Sequence, residues 1–155
     1  MNTIAVFIAT GFGLGRSPYA PGTVGCLLGV GLVAVMVHVP MGWQIVLDVL
    51  MVAAAIPICG IAENHFQRID DRRIVADEFL TFPICMLGLP WLQHWWLLPL
   101  GFVVNRALDI VKPPPARQAQ ALYGGLGIVL DDVVSSLYAL LANHLVFGLV
   151  KGWTA

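Results

Sequence analysis

The sequence predicts an all-α fold, a polytopic membrane bundle of about five helices that includes short half-length segments, and three observations predict it. Hydrophobic residues make up 59% of the 155 residues and charged residues 11%, with a mean hydropathy of +0.85, a balance outside that of a water-soluble domain. The apolar residues gather into runs of helix length instead of alternating with the period of a half-buried strand. Polar residues collect in the connections between those runs. The length suits one domain over residues 1–155, and no internal repeat or low-complexity stretch divides it.

Each element can be justified in order. Residues 1–14 are apolar but lack a basic start, and Pro21 disfavours cleavage after Ala20, so the stretch is expected to stay in the mature chain. It falls short of the roughly 20 apolar residues needed to span a bilayer, and Gly11, Gly13 and Gly15 weaken a helix there. A re-entrant or surface-lying segment is expected. The first membrane helix is expected over residues 24–39, with Thr23 as its N-cap and Pro40 as its stop. A second runs over residues 43–62, headed by the interfacial Trp43, and opens into the polar residues 63–73. Residues 79–104 are apolar but broken at Pro90 and at Gln93-His94-Trp95-Trp96, which predicts a hairpin of two short helices. Residues 106–120 form a polar connection, because Pro113-Pro114-Pro115 cannot continue a helix. A last helix is expected over residues 128–150, after Gly124-Gly125-Leu126-Gly127.

Composition also excludes functions. A net charge of −1, with no basic run interleaved with aromatics, argues against nucleic acid as a partner. Cys26, Cys59 and Cys85 show no CxxC or Cys/His ligand spacing and read as reduced packing residues. No Walker GxxxxGK[ST] occurs, and Gly11-Phe12-Gly13-Leu14-Gly15 is not a dinucleotide loop after a strand.

Threading the helices alternately through a bilayer collects Arg16, Arg68, Arg72, Arg73, Arg106, Lys112 and Arg117 on one side and leaves Lys151 on the other. The positive-inside rule makes the first side cytoplasmic. The same threading brings Asp77, Glu78, Asp109, Asp131 and Asp132 to the cytoplasmic helix ends. A carboxylate in hydrocarbon costs about 2.5–3.5 kcal/mol at the centre of a membrane helix on insertion scales, so acids in or beside hydrocarbon are usually paired, hydrated or bound to a cation. An all-oxygen set suits Mg²⁺ better than Zn²⁺ or Cu²⁺. Arg106, Asp109 and Lys112 recur every third residue and share one face if the helix continues. Arginine and lysine beside a carboxylate-held metal point to phosphoryl transfer. Ser17-Pro18, Pro21-Gly22-Thr23 and Gly124-Gly125 could offer backbone amides to an anion.

Blander readings compete. Asp77-Glu78 and Asp131-Asp132 could be ordinary acids at helix N-termini, and Arg106, Asp109 and Lys112 an exposed ion-pair ladder. Asp70-Asp71-Arg72-Arg73 reads as a solvated loop, with headgroup contact by the arginines as the minority view. His38, His65, His94 and His144 are scattered, Asp48 reaches headgroups near the outer end of its helix, and Trp91, Trp95 and Trp96 form an interfacial belt.

Four segments together resemble the phosphatidylglycerophosphatase A family: Ser17-Pro18 through Pro21-Gly22-Thr23-Val24-Gly25, Asp77-Glu78-Phe79, Arg106 through Asp109 to Lys112-Pro113, and Gly124-Gly125-Leu126-Gly127-Ile128 to Asp131-Asp132. The resemblance covers nearly the whole chain. It implies an all-helical, multi-pass enzyme of the bacterial cytoplasmic (inner) membrane, acting at the cytoplasmic face. It also implies Mg²⁺-dependent hydrolysis of phosphatidylglycerophosphate to phosphatidylglycerol and phosphate. Carried over by position, it points to Asp77, Glu78, Asp109, Asp131 and Asp132 as catalytic and metal-holding acids, with Lys112 beside them. Arg106, Lys112, Arg16, Ser17, Thr23, Gly124 and Gly125 become substrate-binding candidates, with membrane lipid as the surrounding partner. Four positions depart from the pattern: Thr81 replaces an expected glycine, Asn105 an aromatic and Cys26 a serine, and a small residue after Asp132 is present only as Ser135-Ser136. The competing class is a cation transporter or channel, since membrane carboxylates also mark ion paths.

Overall fold

The computed structural model describes residues 2–153, the side chain of Trp153 excepted, and every regular element among them is helical. Seven α-helices follow in order: α1 Asn2–Ala9, α2 Pro21–Met36, α3 Met41–Phe66, α4 Ala76–Thr81, α5 Leu97–Val111, α6 Ala116–Gln120 and α7 Gly125–Trp153. Short 3-10 turns at Leu14–Arg16 and Phe82–Met86 extend the chain around α1 and α4.

The all-α expectation holds, whereas the expected set of about five membrane helices does not emerge. Two helices, α3 and α7, are long and apolar enough to cross a membrane. At 1.5 Å per residue, the 26 residues of α3 reach about 39 Å. The 16 residues of α2 reach only about 24 Å, less than the ~30 Å of hydrocarbon. The expected hairpin over residues 79–104 is instead the six-residue α4, a 3-10 turn, an irregular stretch around Pro90, and then α5. Two prolines explain this: Pro83, just past the end of α4, has no N–H with which to continue that helix, and Pro90 resists helical continuation.

Helix starts also shift. Pro21 opens α2, its missing N–H costing nothing in the first turn, and Ala20 precedes it in the left-handed region at φ 42°. Thr23 therefore lies inside α2 and is not its N-cap. Within the described residues 2–14 this stretch is a short helix followed by a tight turn, with positive φ at Gly11, Phe12 and Gly13.

The side chains that lie outside have the character of a lipid-facing surface. Leu27 and Val35 of α2, Val49 and Leu50 of α3 and Leu141, Leu145 and Leu149 of α7 are exposed, whereas Asp48, Asn105, Ser135, Ser136 and Asn143 are buried. A protein folded in water has the reverse preference. With no hydrophobic drive between helices in lipid, small residues let backbones close together. A Cβ at Gly125 would sit 2.0 Å from Ile56 O and 2.5 Å from Gly60 N, so glycine is what allows α7 to start against α3. The resulting core has α7 at its centre, against α3, α5 and α6, and wedges α4 between α2, α3 and α7.

Candidate active site

The wedged position of α4 builds the site. Val75 N donates to Ala9 O at 2.8 Å, tying the start of α4 to the end of α1. Asp77 and Glu78 then occupy its first turn, where the helix dipole favours acids. That account does not extend to Asp131 and Asp132, which lie well inside α7, beyond the first turn where the dipole acts. From α5 come Arg106 and Asp109, three residues apart on one face. Lys112 follows where the helix ends, in the left-handed region at φ 49° ahead of Pro113. It is therefore off the expected helical face, yet its side chain reaches the same place.

One open pocket of about 360 Å³ is lined by all five acids and by Arg106 and Lys112. Its other walls are Ala20, Pro21 and Gly22 at the start of α2 and Asp70, Arg72 and Ile74 from the loop before α4. Gly22 leaves room for the Glu78 carboxylate, since a Cβ there would stand 2.1 Å from Glu78 Oε1 and displace it. Arg106 Nη1 donates to Glu78 Oε2 at 2.7 Å and to Asp109 Oδ2 at 2.6 Å, joining α4 to α5. Lys112 Nζ donates to Asp131 Oδ2, joining the end of α5 to α7. Asp77 and Asp132 are in no ion pair among the described residues, and the charges acting on Asp132 include Asp77, Asp109 and Glu78.

This crowding has an electrostatic consequence. Burial, followed by the charges of Glu78, Asp70 and Asp131, holds the Asp77 carboxyl well above the usual carboxylate range. Burial also pushes Glu78 up to about 7 against the opposing pull of Arg106. For Lys112, burial works against the charged form, but the hydrogen bond and charge of Asp131 leave its ammonium raised.

The donor chemistry fits a hard divalent cation. All five groups are oxygen donors, and Asp77 Oδ1 is buried without a hydrogen-bond partner. As they stand, no three Asp, Glu, His or Cys side chains among the described residues converge into a ready-made ligand cluster. Glu78, Asp109 and Asp131 are held by Arg106 and Lys112 instead.

The other substrate-binding candidates lie outside this pocket. Arg16 is exposed, Ser17 Oγ donates to Tyr19 O at 2.9 Å, and Thr23 does not line the wall. Gly124 lines a separate cleft of about 510 Å³ with Glu63, Arg68 and Tyr123, and Gly125 meets α3. Asp70, Arg72 and Gly22 line the pocket although the sequence reads Asp70-Asp71-Arg72-Arg73 chiefly as a solvated loop, with headgroup contact by the arginines as the minority view, and Gly22 only as part of a segment that could offer amides to an anion. A charge pair in a loop and a glycine in a PGT motif carry no signal of which cavity they face. The four departures from the family pattern all fall beside the acids or on the helices that carry them. Thr81 Oγ1 donates to Asp77 O at 2.7 Å, Cys26 Sγ lies 3.6 Å from Glu78 Oε2, and Ser136 Oγ donates to Asn105 Oδ1 at 3.0 Å. Asn105 and Ser136 thus satisfy each other between α5 and α7.

Known proteins are similar to this chain over most of its length. A family model described as phosphatidylglycerophosphatase A matches residues 7–147. A phosphatidylglycerophosphatase A from Escherichia coli is 35% identical over 84% of this chain and 76% of its own length. One from Haemophilus influenzae is 34% identical over 86% of this chain and 83% of its own. A protein of Bacteroides thetaiotaomicron, provisionally named a phosphatidylinositol-3-phosphatase, is 34% identical over 88% of this chain and 89% of its own. No solved structure matches the chain.

Proposed function

We propose, from the premise that this chain belongs to the phosphatidylglycerophosphatase A family, that it converts phosphatidylglycerophosphate to phosphatidylglycerol and phosphate with Mg²⁺ as its metal, in the bacterial cytoplasmic membrane. Membership makes the chain a phosphatase. The observation that carries the finer reading is the pocket in which acids from α4, α5 and α7 meet Arg106 and Lys112. Five carboxylates alone would repel a phosphate, so a site of this composition needs cations to admit one.

Asp77, Glu78, Asp109, Asp131 and Asp132 are the residues that would hold Mg²⁺, with Asp77 and Asp132, the two without a basic partner, the most available. The metal would neutralise phosphate oxygens and sharpen a water as nucleophile. Arg106 offers its guanidinium to the phosphate in exchange for part of its hold on Glu78 and Asp109. Lys112 does the same from Asp131, as a compact point charge. Gly22 keeps the start of α2 close to Glu78 and so closes one wall. The acyl chains remain in lipid against the outward apolar faces of the helices. A cytoplasmic site is supported by the charge distribution, since Lys151 lies about 30 Å along α7 from Asp131, whereas Arg72, Arg106 and Lys112 line the pocket beside Asp131.

One feature favours the rival reading of cation passage. Asp48 is buried within α3, and both of its carboxylate oxygens lack a hydrogen-bond partner. The two readings separate in one experiment: purified protein in detergent is given phosphatidylglycerophosphate with and without Mg²⁺, and free phosphate is followed. Mg²⁺-dependent release is expected. No release, together with cation flux after reconstitution into liposomes, would replace the phosphatase reading by the transport one.

A further inference from the structure

Three basic side chains line the acid pocket, Arg72, Arg106 and Lys112, and they are not in the same condition. Arg106 is committed to Glu78 and Asp109, and Lys112 to Asp131, with side-chain exposures of 17% and 24%. Arg72 is exposed and takes part in no ion pair among the described residues. It is the one cation of the pocket whose guanidinium is not already spent on a carboxylate.

Its backbone, by contrast, is held on both sides. Asp71 is 3% exposed and accepts from Arg73 Nε at 2.7 Å and Arg73 Nη2 at 2.9 Å. Arg73 N also donates to Asp71 Oδ1 at 3.0 Å, and Ile74 N donates to Asp71 O at 2.7 Å. The Arg73 guanidinium lies 3.8 Å over the Phe66 ring, a cation–π contact that ties the loop to the end of α3. Asp70 is fixed by Gln120 Nε2, which donates to Asp70 Oδ2 at 2.8 Å. Residues 71 and 73 thus anchor the loop while residues 70 and 72 line the pocket. A side chain free at its tip on an immobilised backbone is pre-organised to take a ligand at little ordering cost.

We propose that Arg72 binds the phosphodiester of the lipid headgroup, at the rim of the pocket whose deeper groups act on the terminal phosphomonoester. The inference rests on the lipid-phosphatase reading above. A phosphatidylglycerophosphate headgroup carries two phosphates separated by one glycerol. The terminal one belongs among the acids and their two committed cations. The other, singly charged, stands one glycerol length away toward the acyl chains, where an exposed guanidinium matches its two free oxygens bidentately. Binding there holds the lipid equally in the ground and transition states, so the effect belongs to KM.

The test compares wild type, Arg72→Gln and Arg72→Lys in mixed micelles, with phosphatidylglycerophosphate as substrate. Phosphatidylglycerol, which keeps the diester, and inorganic phosphate, which mimics the reacting group, serve as inhibitors. Arg72→Gln is expected to raise KM about 10- to 100-fold, the range for a lost charge-assisted hydrogen bond. The inhibition constant of phosphatidylglycerol should rise in parallel and that of inorganic phosphate much less, while Arg72→Lys recovers part of the loss. A loss in kcat with KM unmoved would overturn the assignment, as would an equal rise in both inhibition constants or no change in either. Wild type that releases no phosphate under any condition would instead sink the phosphatase reading, and this inference with it.

Discussion

The two ends of α7 differ in what their buried polar side chains meet. Toward its C-terminal half, Asn143 Nδ2 donates to Cys85 O at 3.0 Å and the His144 ring meets Leu87 O at 2.9 Å. There, side-chain nitrogens pair carbonyls of the irregular stretch after α4, although Asn143 Oδ1 stays buried without a hydrogen-bond partner, and the rings of His94, Trp96 and Phe147 contact one another. Near its N-terminal end, Asp131 and Asp132 meet other acids, and Asp77 Oδ1 faces no donor at all. The first arrangement stabilises the fold, since pairing a buried carbonyl avoids the penalty of leaving it dry. The second costs stability, because like charges without solvent repel. Strain of that kind, kept in a pocket, makes the acid end the candidate for a ligand site.

The largest expected effect breaks that contrast at the acid end. Asp77→Asn and Asp131→Asn should each lower turnover by about 100-fold or more, as for removal of a key electrostatic group. The unfolding midpoint of the metal-free Asp77→Asn protein should stay level or rise, because a buried charge has been removed. Phosphate release and thermal unfolding in detergent measure the two, and near-normal turnover in both variants would remove these acids from the site.

Gly125→Ala asks whether a glycine close to the acids in sequence serves the substrate or the fold. Its Cβ would collide with Ile56 O, so a stability loss of about 1–3 kcal/mol is expected from overpacking, with KM unchanged for the folded fraction. A raised KM with normal stability would return Gly125 to the binding site.

At the other end, Asn143→Ala should cost about 1–3 kcal/mol by leaving Cys85 O unpaired, with kcat within about two-fold of wild type. A larger fall in kcat than in stability would show the two ends to be functionally joined.

The smallest effect concerns the loop before α4. Hydrogen bonds from Arg73 hold the Asp71 carboxyl below the usual range. A depressed pKa contributes stability that is fully present above the unfolded value, near 3.9, and is lost as pH falls through the folded one. Asp71→Asn should therefore flatten the acid limb of the stability profile below about pH 4, read as unfolding midpoint against pH. An unchanged limb would mean that the loop is not anchored there.

Much of the site was legible because its signals are local. Asp77-Glu78, the Arg106 and Asp109 pair and Asp131-Asp132 each stand at the edge of an apolar run, where any acid is conspicuous. Asp70 reads as part of a solvated loop, and headgroup contact by Arg72 stays the minority reading, for the opposite reason: in a loop already polar, a charge is unremarkable until the cavity it lines is known. Lys112 was assigned to the site on the wrong ground, since α5 ends before it and a left-handed residue, not a shared helical face, brings it to Asp131.

The sequence by itself determined the helical class, the lipid-facing composition and the identity of the acids and the cations near them, because each follows from hydropathy, period and residue chemistry along a short stretch. Only the tertiary structure decided which helices reach membrane length, and that α4 is a six-residue wedge. It also decided that Arg106 and Lys112 are engaged while Arg72 is not. Those outcomes depend on contacts between segments such as Glu78 with Arg106 and Gly125 with Ile56, and a distance across the fold is not encoded at any single position of the chain.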